Sequence, residues 1–129
     1  MLVPGVGTRA HHPSLSADGH RLAYSEEFYS TNIWRAPLEL GSALLPSPFL
    51  FSARRDDSPQ YSPDGRRIVF ISNRSGPTEI WTSDADSRNA GPVASLRGMR
   101  PGTPRWSPDG KQILFDARHE GCRIYVIGR

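Results

Sequence analysis

The sequence has almost no cysteine: Cys122 is the only one in 129 residues. An internal disulfide is thereby excluded, and the redox compartment stays open. Beside Ile124, this thiol is expected to serve as a small buried apolar residue. Lysine is nearly missing too, with one Lys against 15 Arg. No apolar run approaches the roughly 18 residues that a membrane-spanning helix needs. The opening residues, Met1-Leu2-Val3-Pro4-Gly5-Val6-Gly7, carry neither the basic segment nor the apolar stretch of a signal peptide. The chain therefore reads as soluble, and any export signal of a longer parent would lie outside it. No long helical period is present.

Catalytic and metal-binding patterns are scarce as well. There is no Gly-x-Ser-x-Gly elbow, and the aspartates of the Asp-Gly pairs are explained by turns, so no catalysis is expected. His11-His12 resembles a metal pair, but neighbours on an extended chain point to opposite faces and cannot readily share an ion. No metal and no cofactor is expected. Asn73-Arg74-Ser75 matches the glycosylation sequon, yet a turn is the better reading of those residues. The net charge is only +3. That falls short of the concentrated basic stripe that phosphate binding needs, which points away from nucleic acid. The charge is uneven all the same: residues 1–86 hold 8 basic and 10 acidic groups, residues 87–129 hold 8 and 3. An arginine-rich face is one reading; arginine stems covering apolar strand edges is the plainer one.

What the chain does have is a repeat. Ser58-Pro59-Gln60-Tyr61-Ser62-Pro63-Asp64-Gly65-Arg66-Arg67-Ile68-Val69-Phe70 returns as Thr103-Pro104-Arg105-Trp106-Ser107-Pro108-Asp109-Gly110-Lys111-Gln112-Ile113-Leu114-Phe115. A looser copy runs from His12 through Asp18-Gly19 to Tyr24. The shared aspartate advances 46 residues and then 45. A period of that length, with turn residues at fixed offsets, is the sequence form of a propeller blade. Pro59 is expected to start a strand, where its missing N–H costs least. Pro63 presets φ at the first corner of a turn, Asp64 caps it, and Gly65 tolerates φ above zero. Asp109-Gly110 and Asp18-Gly19 are assigned the same structural role.

The next strand, Arg67 to Ile71, has β-branched and aromatic content. A third follows at Asn32-Ile33-Trp34, Glu79-Ile80-Trp81 and Arg123-Ile124-Tyr125, lying 14, 15 and 14 residues after the turn glycine. The spacing predicts an all-β chain of β-propeller blades: three four-stranded antiparallel repeats, the last incomplete. Repeats are placed at 12–57, 58–102 and 103–129. Strands are expected near 12–16, 20–25, 31–37 and 48–52, then 59–62, 67–72, 78–83 and 92–96, then 104–107, 112–116 and 122–127. Trp34, Trp81 and Trp106 are assigned to the core between blades; a stacking platform for bases would instead need them exposed beside arginines.

The Pro-x-aromatic-Ser-Pro-Asp-Gly run, with its Ile-Val-Phe strand and its Ile-Trp or Ile-Tyr strand, resembles the TolB-type propeller repeat. These are the WD-like repeats of the periplasmic Tol-Pal component and its relatives. The resemblance covers roughly residues 12–127; Ala17 and Leu15 depart from the pattern in the first repeat. It implies a propeller of six or more blades that serves as a binding scaffold, periplasmic where such a parent is exported. Similar repeats form the propeller of prolyl-oligopeptidase-like peptidases and the C-terminal half of some winged-helix regulators. A portion of such a larger protein is therefore the alternative reading.

In a propeller, the blade connectors and the loops between second and third strands share one rim. That rim would carry His11, His12, Arg54, Arg55, Asp56, Asp57 and Arg100 from the connectors, with Arg74, Arg118, His119 and Glu120 from the hairpin tips. Such a surface can grip a peptide or a carboxylate; it can also be no more than a solvated face. Three blades do not close a ring, and bare blade flanks would be apolar. A homodimer completing a six-bladed ring is expected, with Leu2-Val3-Pro4 of one copy adding an outer strand to the other.

Overall fold

The computed structural model describes residues 10–15, 22–26, 30–36, 45–94, 96 and 98–128, with the backbone alone at 10–15, 22–26, 94 and 119. The described residues hold twelve strands and no helix. Their sheets are antiparallel, which makes the chain all-β. None of its elements is a helix long and apolar enough to cross a membrane.

Strands β1 (Ala10–Leu15) and β2 (Leu22–Glu26) pair with each other. Strands β3 (Ile33–Arg35) and β4 (Ser47–Leu50) form a second two-stranded sheet. The four strands expected in one sheet thus lie in two. The next sheet has four strands in sequence order: β5 (Asp56–Tyr61), β6 (Arg67–Ser72), β7 (Glu79–Asp84) and β8 (Gly91–Ala94). In the last sheet, β9 (Arg100–Pro101) and β10 (Arg105–Trp106) both pair with β11 (Gln112–His119), which pairs with β12 (Gly121–Gly128).

One register recurs in all three hairpins. Asp56 and Asp57 face Ser72 and Ile71, the ladder shifts, and Gln60 and Tyr61 face Val69 and Ile68. Arg100 and Pro101 face Arg118 and Ala117, and Arg105 and Trp106 then face Leu114 and Ile113. Ala10 and His11 face Glu26 and Ser25, and Ser14 and Leu15 face Ala23 and Leu22. Pro13, Pro59 and Pro104 all fall in the irregularity. Proline cannot donate to a ladder, so a bulge tolerates it where a regular strand would not. Pro59 therefore does not start its strand, as expected from sequence; β5 begins at Asp56, and Ser58 takes φ 54° to make the irregularity.

The strand ends differ elsewhere too. The hairpin of β11 and β12 is longer than expected because their pairing runs on to His119↔Gly121, with Gly121 at φ 138° closing the turn.

Paired residues share a face, so each sheet has two faces that can be followed through the register. The face of the β5–β8 sheet bearing Ile68, Phe70 and Trp81 packs against Ile33, Phe49 and Leu50. Its other face, with Val69, Ile71 and Ile80, packs against Trp106, Ile113, Phe115 and Ala117 of the last sheet. Sheets therefore stack face to face, and Phe70, Val69, Ile80 and Ile113 are fully buried. Between the last two sheets, Gln60 Oε1 accepts from the Trp106 N–H at 2.7 Å.

Two core assignments are corrected. Trp34 is 58% exposed, whereas Trp81 is 8% exposed. Both follow a buried isoleucine, but no sheet covers the Trp34 face of β3 among the described residues, while Ile33, Phe49 and Leu50 cover Trp81. Cys122 is exposed rather than buried. It lies on β12 opposite Arg118, on the face directed away from the core.

Candidate functional site

Antiparallel order places the two Pro-Asp-Gly turns at one end of the sheets. Gly65 N–H donates to Ser62 O at 2.8 Å, and Gly110 N–H to Ser107 O at 2.9 Å. The glycines hold φ of 69° and 70°, the left-handed region that glycine alone enters at no steric cost. The Asp64 carboxylate accepts from the Ser62 hydroxyl at 2.6 Å and from the Arg66 N–H at 3.1 Å. Asp109 repeats this with Ser107 at 2.6 Å and Lys111 at 3.0 Å. Hydrogen bonds from Ser62 and then from the Arg66 N–H hold Asp64 below the usual aspartate range; Ser107 and Lys111 do the same for Asp109.

The serines were not singled out from sequence. Each hydroxyl also accepts the N–H of the strand that leaves the turn, Arg67 at 3.0 Å and Gln112 at 2.9 Å. Ser62 O and Ser107 O are occupied by the glycine N–H, so the hydroxyl replaces the missing ladder acceptor. Recurrence of serine just before Pro-Asp-Gly was the available clue. A cleft of about 340 Å³ lies between the two turns, bordered by Asp64, Arg67, Trp106 and Asp109. Its carboxylates are committed to their own turns.

The opposite end gathers the connectors and hairpin tips. Arg55 pairs with Thr31 in a parallel bridge, and Asp56 N–H donates to Thr31 O at 2.7 Å. Arg55 N–H donates to Asn73 Oδ1 at 2.8 Å, and Asn73 N–H returns a bond to Arg55 O at 3.2 Å. Asn73 is thereby a turn residue whose amide oxygen is occupied. Ser75 Oγ donates to Glu79 Oε2 at 2.5 Å, which holds the far side of the same loop.

Asp56 is not on an exposed rim: it is fully buried at the start of β5. Arg74 reaches in, with Nη2 2.8 Å from Asp56 Oδ1. Neither Asp56 oxygen has an aligned hydrogen-bond partner among the described residues, so the attraction is coulombic. The guanidinium also donates through Nε to Ser72 Oγ at 3.0 Å. It lies over the Phe70 and Trp81 rings at 5.5 and 5.0 Å. Arg74 and Asp56 therefore fasten the hairpin tip to the connector, and Asp57 is contacted by Arg55 Nε.

The remaining rim residues stand apart from that pair. Arg54 and Arg55 are exposed, as are Arg100 and Arg118, which face each other across β9 and β11. His12 belongs to β1 and His119 ends β11. Asp18 and Gly19 lie outside the described residues, as does Leu2-Val3-Pro4. Among the described residues, no group of three His, Cys, Asp or Glu side chains is placed to hold a metal ion.

Stacked antiparallel sheets, a repeated bulge register and duplicated Ser-Pro-Asp-Gly turns define a β-propeller-like scaffold. Within that class the chain is similar to TolB proteins. It superposes on a TolB-assigned protein of Agrobacterium tumefaciens with TM-score 0.59 and 25% identity, over 65% of this chain and 33% of that one. It superposes on TolB of Acinetobacter baumannii with TM-score 0.57 and 29% identity, over 65% of this chain and 21% of that one. In sequence it is 34% identical over 71 residues to the uncharacterized peptidase YuxL of Bacillus subtilis (strain 168), covering 50% of this chain and 10% of that protein. The chain thus spans a third or less of each of these relatives. No family model matches it.

Proposed function

We propose that this chain is a non-catalytic propeller scaffold that binds a protein or peptide on its arginine rim and assembles with a second copy. The supporting observation is the pair Arg100 and Arg118, exposed and directly opposite on neighbouring strands. Like charges so placed disfavour the sheet unless an anion lies between them. A guanidinium pair suits a carboxylate, which it can hold in bidentate fashion. Arg54 and Arg55 extend the same end, with His12 and His119 as further rim positions. Asp57 and Asp56 are spent on Arg55 and Arg74, so the rim keeps a positive excess.

A peptide ending in acidic residues and a free carboxylate tests this by fluorescence anisotropy, with an amidated neutral peptide as control. Replacing Arg100 and Arg118 together by alanine should weaken the acidic peptide about tenfold, about 1.4 kcal/mol. Equal affinity for both peptides would remove the reading.

The stretch shared with YuxL favours a second reading, in which the chain is the propeller portion of a larger peptidase. Under either reading the isolated chain turns over no peptide or ester. Hydrolysis abolished by replacing one serine of this chain would overturn that expectation.

A further inference from the structure

We infer that the outer face of the β9–β12 sheet docks the first repeat of a second copy, head to tail. This rests on the self-assembly reading above and names the two surfaces it uses.

Every internal seam of the described structure joins the same two kinds of face. Val69, Ile71 and Ile80 are 0%, 6% and 0% exposed because Trp106, Ile113, Phe115 and Ala117 of the following sheet cover them. By register, Leu114, Asp116 and Ile124 are their counterparts one repeat later, since Asp116 faces Ile124 as Ile71 faces Ile80. Val126 continues this face opposite Leu114. Among the described residues nothing covers it: Leu114 is 37% exposed, Val126 53% and Ile124 75%. Three apolar side chains at positions buried in the preceding repeat make half of a seam.

Among the described residues, the first repeat carries an open position of the complementary kind. Trp34 occupies the register of Trp81 and lies 58% exposed. Leu15 faces Leu22 in β1 and β2 as Trp106 faces Ile113 in the last sheet. At the seam between the last two sheets Trp106 and Ile113 help to cover the neighbour, and at the seam before it Ile68 does so while Tyr61 stays 46% exposed. The open outer face thus needs the kind of surface that the first repeat carries. One chain cannot bring the two together, because the β5–β8 sheet stands between them. Two copies satisfy both ends at once, through two identical seams related by a two-fold axis. Contiguous apolar faces of this kind are rarely left bare on a monomer.

Size exclusion with light scattering on the full chain tests the assignment. The wild type should run at twice 14.3 kDa. Ile124→Glu spoils the outer face and Trp34→Glu spoils the first-repeat face, so each alone should be monomeric. Mixed in equal amounts, the two variants should regain a dimer, because one of the two seams then joins intact faces. A Trp34→Glu protein that stays dimeric would mean that two outer faces pair with each other, and would overturn the proposal. A monomeric wild type would overturn it too, assigning the outer face to a following sheet of a longer chain. Far-UV circular dichroism checks that each variant keeps its strands. Where glutamate unfolds one, the serine variants at the same positions take its place, and a mixture that stays monomeric with intact strands counts against the idea. Peptide titration reads the rim separately, so failure there leaves the seam result standing.

Discussion

Gly65 shows how little of a turn's stability depends on packing. A Cβ added there meets nothing within 4 Å, so the whole penalty of a larger residue lies in its φ of 69°. Gly65→Val should cost about 1–3 kcal/mol, read as a lower urea midpoint with an unchanged slope. The neighbouring carboxylates carry a pH dependence of definite sign. Asp64 and Asp109 are held below the ordinary aspartate value, so folding favours their charged form. Their contribution is complete above the unfolded value of about 3.9 and is lost as pH falls through the lower folded value. Ser62→Ala removes the strongest of those hydrogen bonds. The Asp64 midpoint, followed by NMR, should then rise toward 3.9 while Asp109 stays where it was. A midpoint unmoved by the substitution would assign the shift to another cause.

Among the elements, the loop between β6 and β7 is fastened by a buried charge. Removing one partner of such a pair leaves the other ion uncompensated, which costs about 3–5 kcal/mol. Arg74→Met should destabilise the chain by that order, since Asp56 is fully buried and has no second cation beside it among the described residues. Combining it with Asp56→Asn should recover much of the loss, measured by denaturant unfolding of the single and double variants. Arg74→Lys should not be conservative, because an ammonium cannot lie flat over Phe70 and Trp81 while donating to Ser72. This pair escaped the sequence reading. Arg54-Arg55-Asp56-Asp57 reads as a charged connector, and charge alone does not say which of four neighbours turns inward. The bulge decided it, by carrying the strand back through Pro59 to Asp56.

At the scale of the whole molecule, and among the described residues, the β5–β8 sheet is covered on both faces, whereas the β3–β4 and β9–β12 sheets are each covered on one. Its inner strands β6 and β7 should therefore show the slowest amide exchange, because they open only when both seams give way. β3 should exchange faster, since among the described residues its Trp34 face is uncovered and β4 alone pairs with it. Equal protection in β3 and β6, measured by mass spectrometry, would contradict the stacking order. The same asymmetry puts the two faces of the proposed seam at the two ends of the stack.

Local chemistry was enough for the hairpins. Pro-Asp-Gly dictates a turn through φ and side-chain hydrogen bonding, and the Ile-Val-Phe and Ile-Trp runs dictate strands, because both effects act within a few residues. The all-β fold and the turn glycines could thus be read without coordinates. Which members of a repeated position are buried could not. Trp34 and Trp81 have nearly the same neighbours in sequence, and Cys122 sits beside an isoleucine as a core residue would. Burial belongs to the pair of surfaces that meet, and only the stacking of sheets decided that Trp81 is covered and that, among the described residues, no sheet covers Trp34. The position of Asp56 is of the same kind, because a carboxylate is stable inside only where a chain eighteen residues away delivers Arg74 to it.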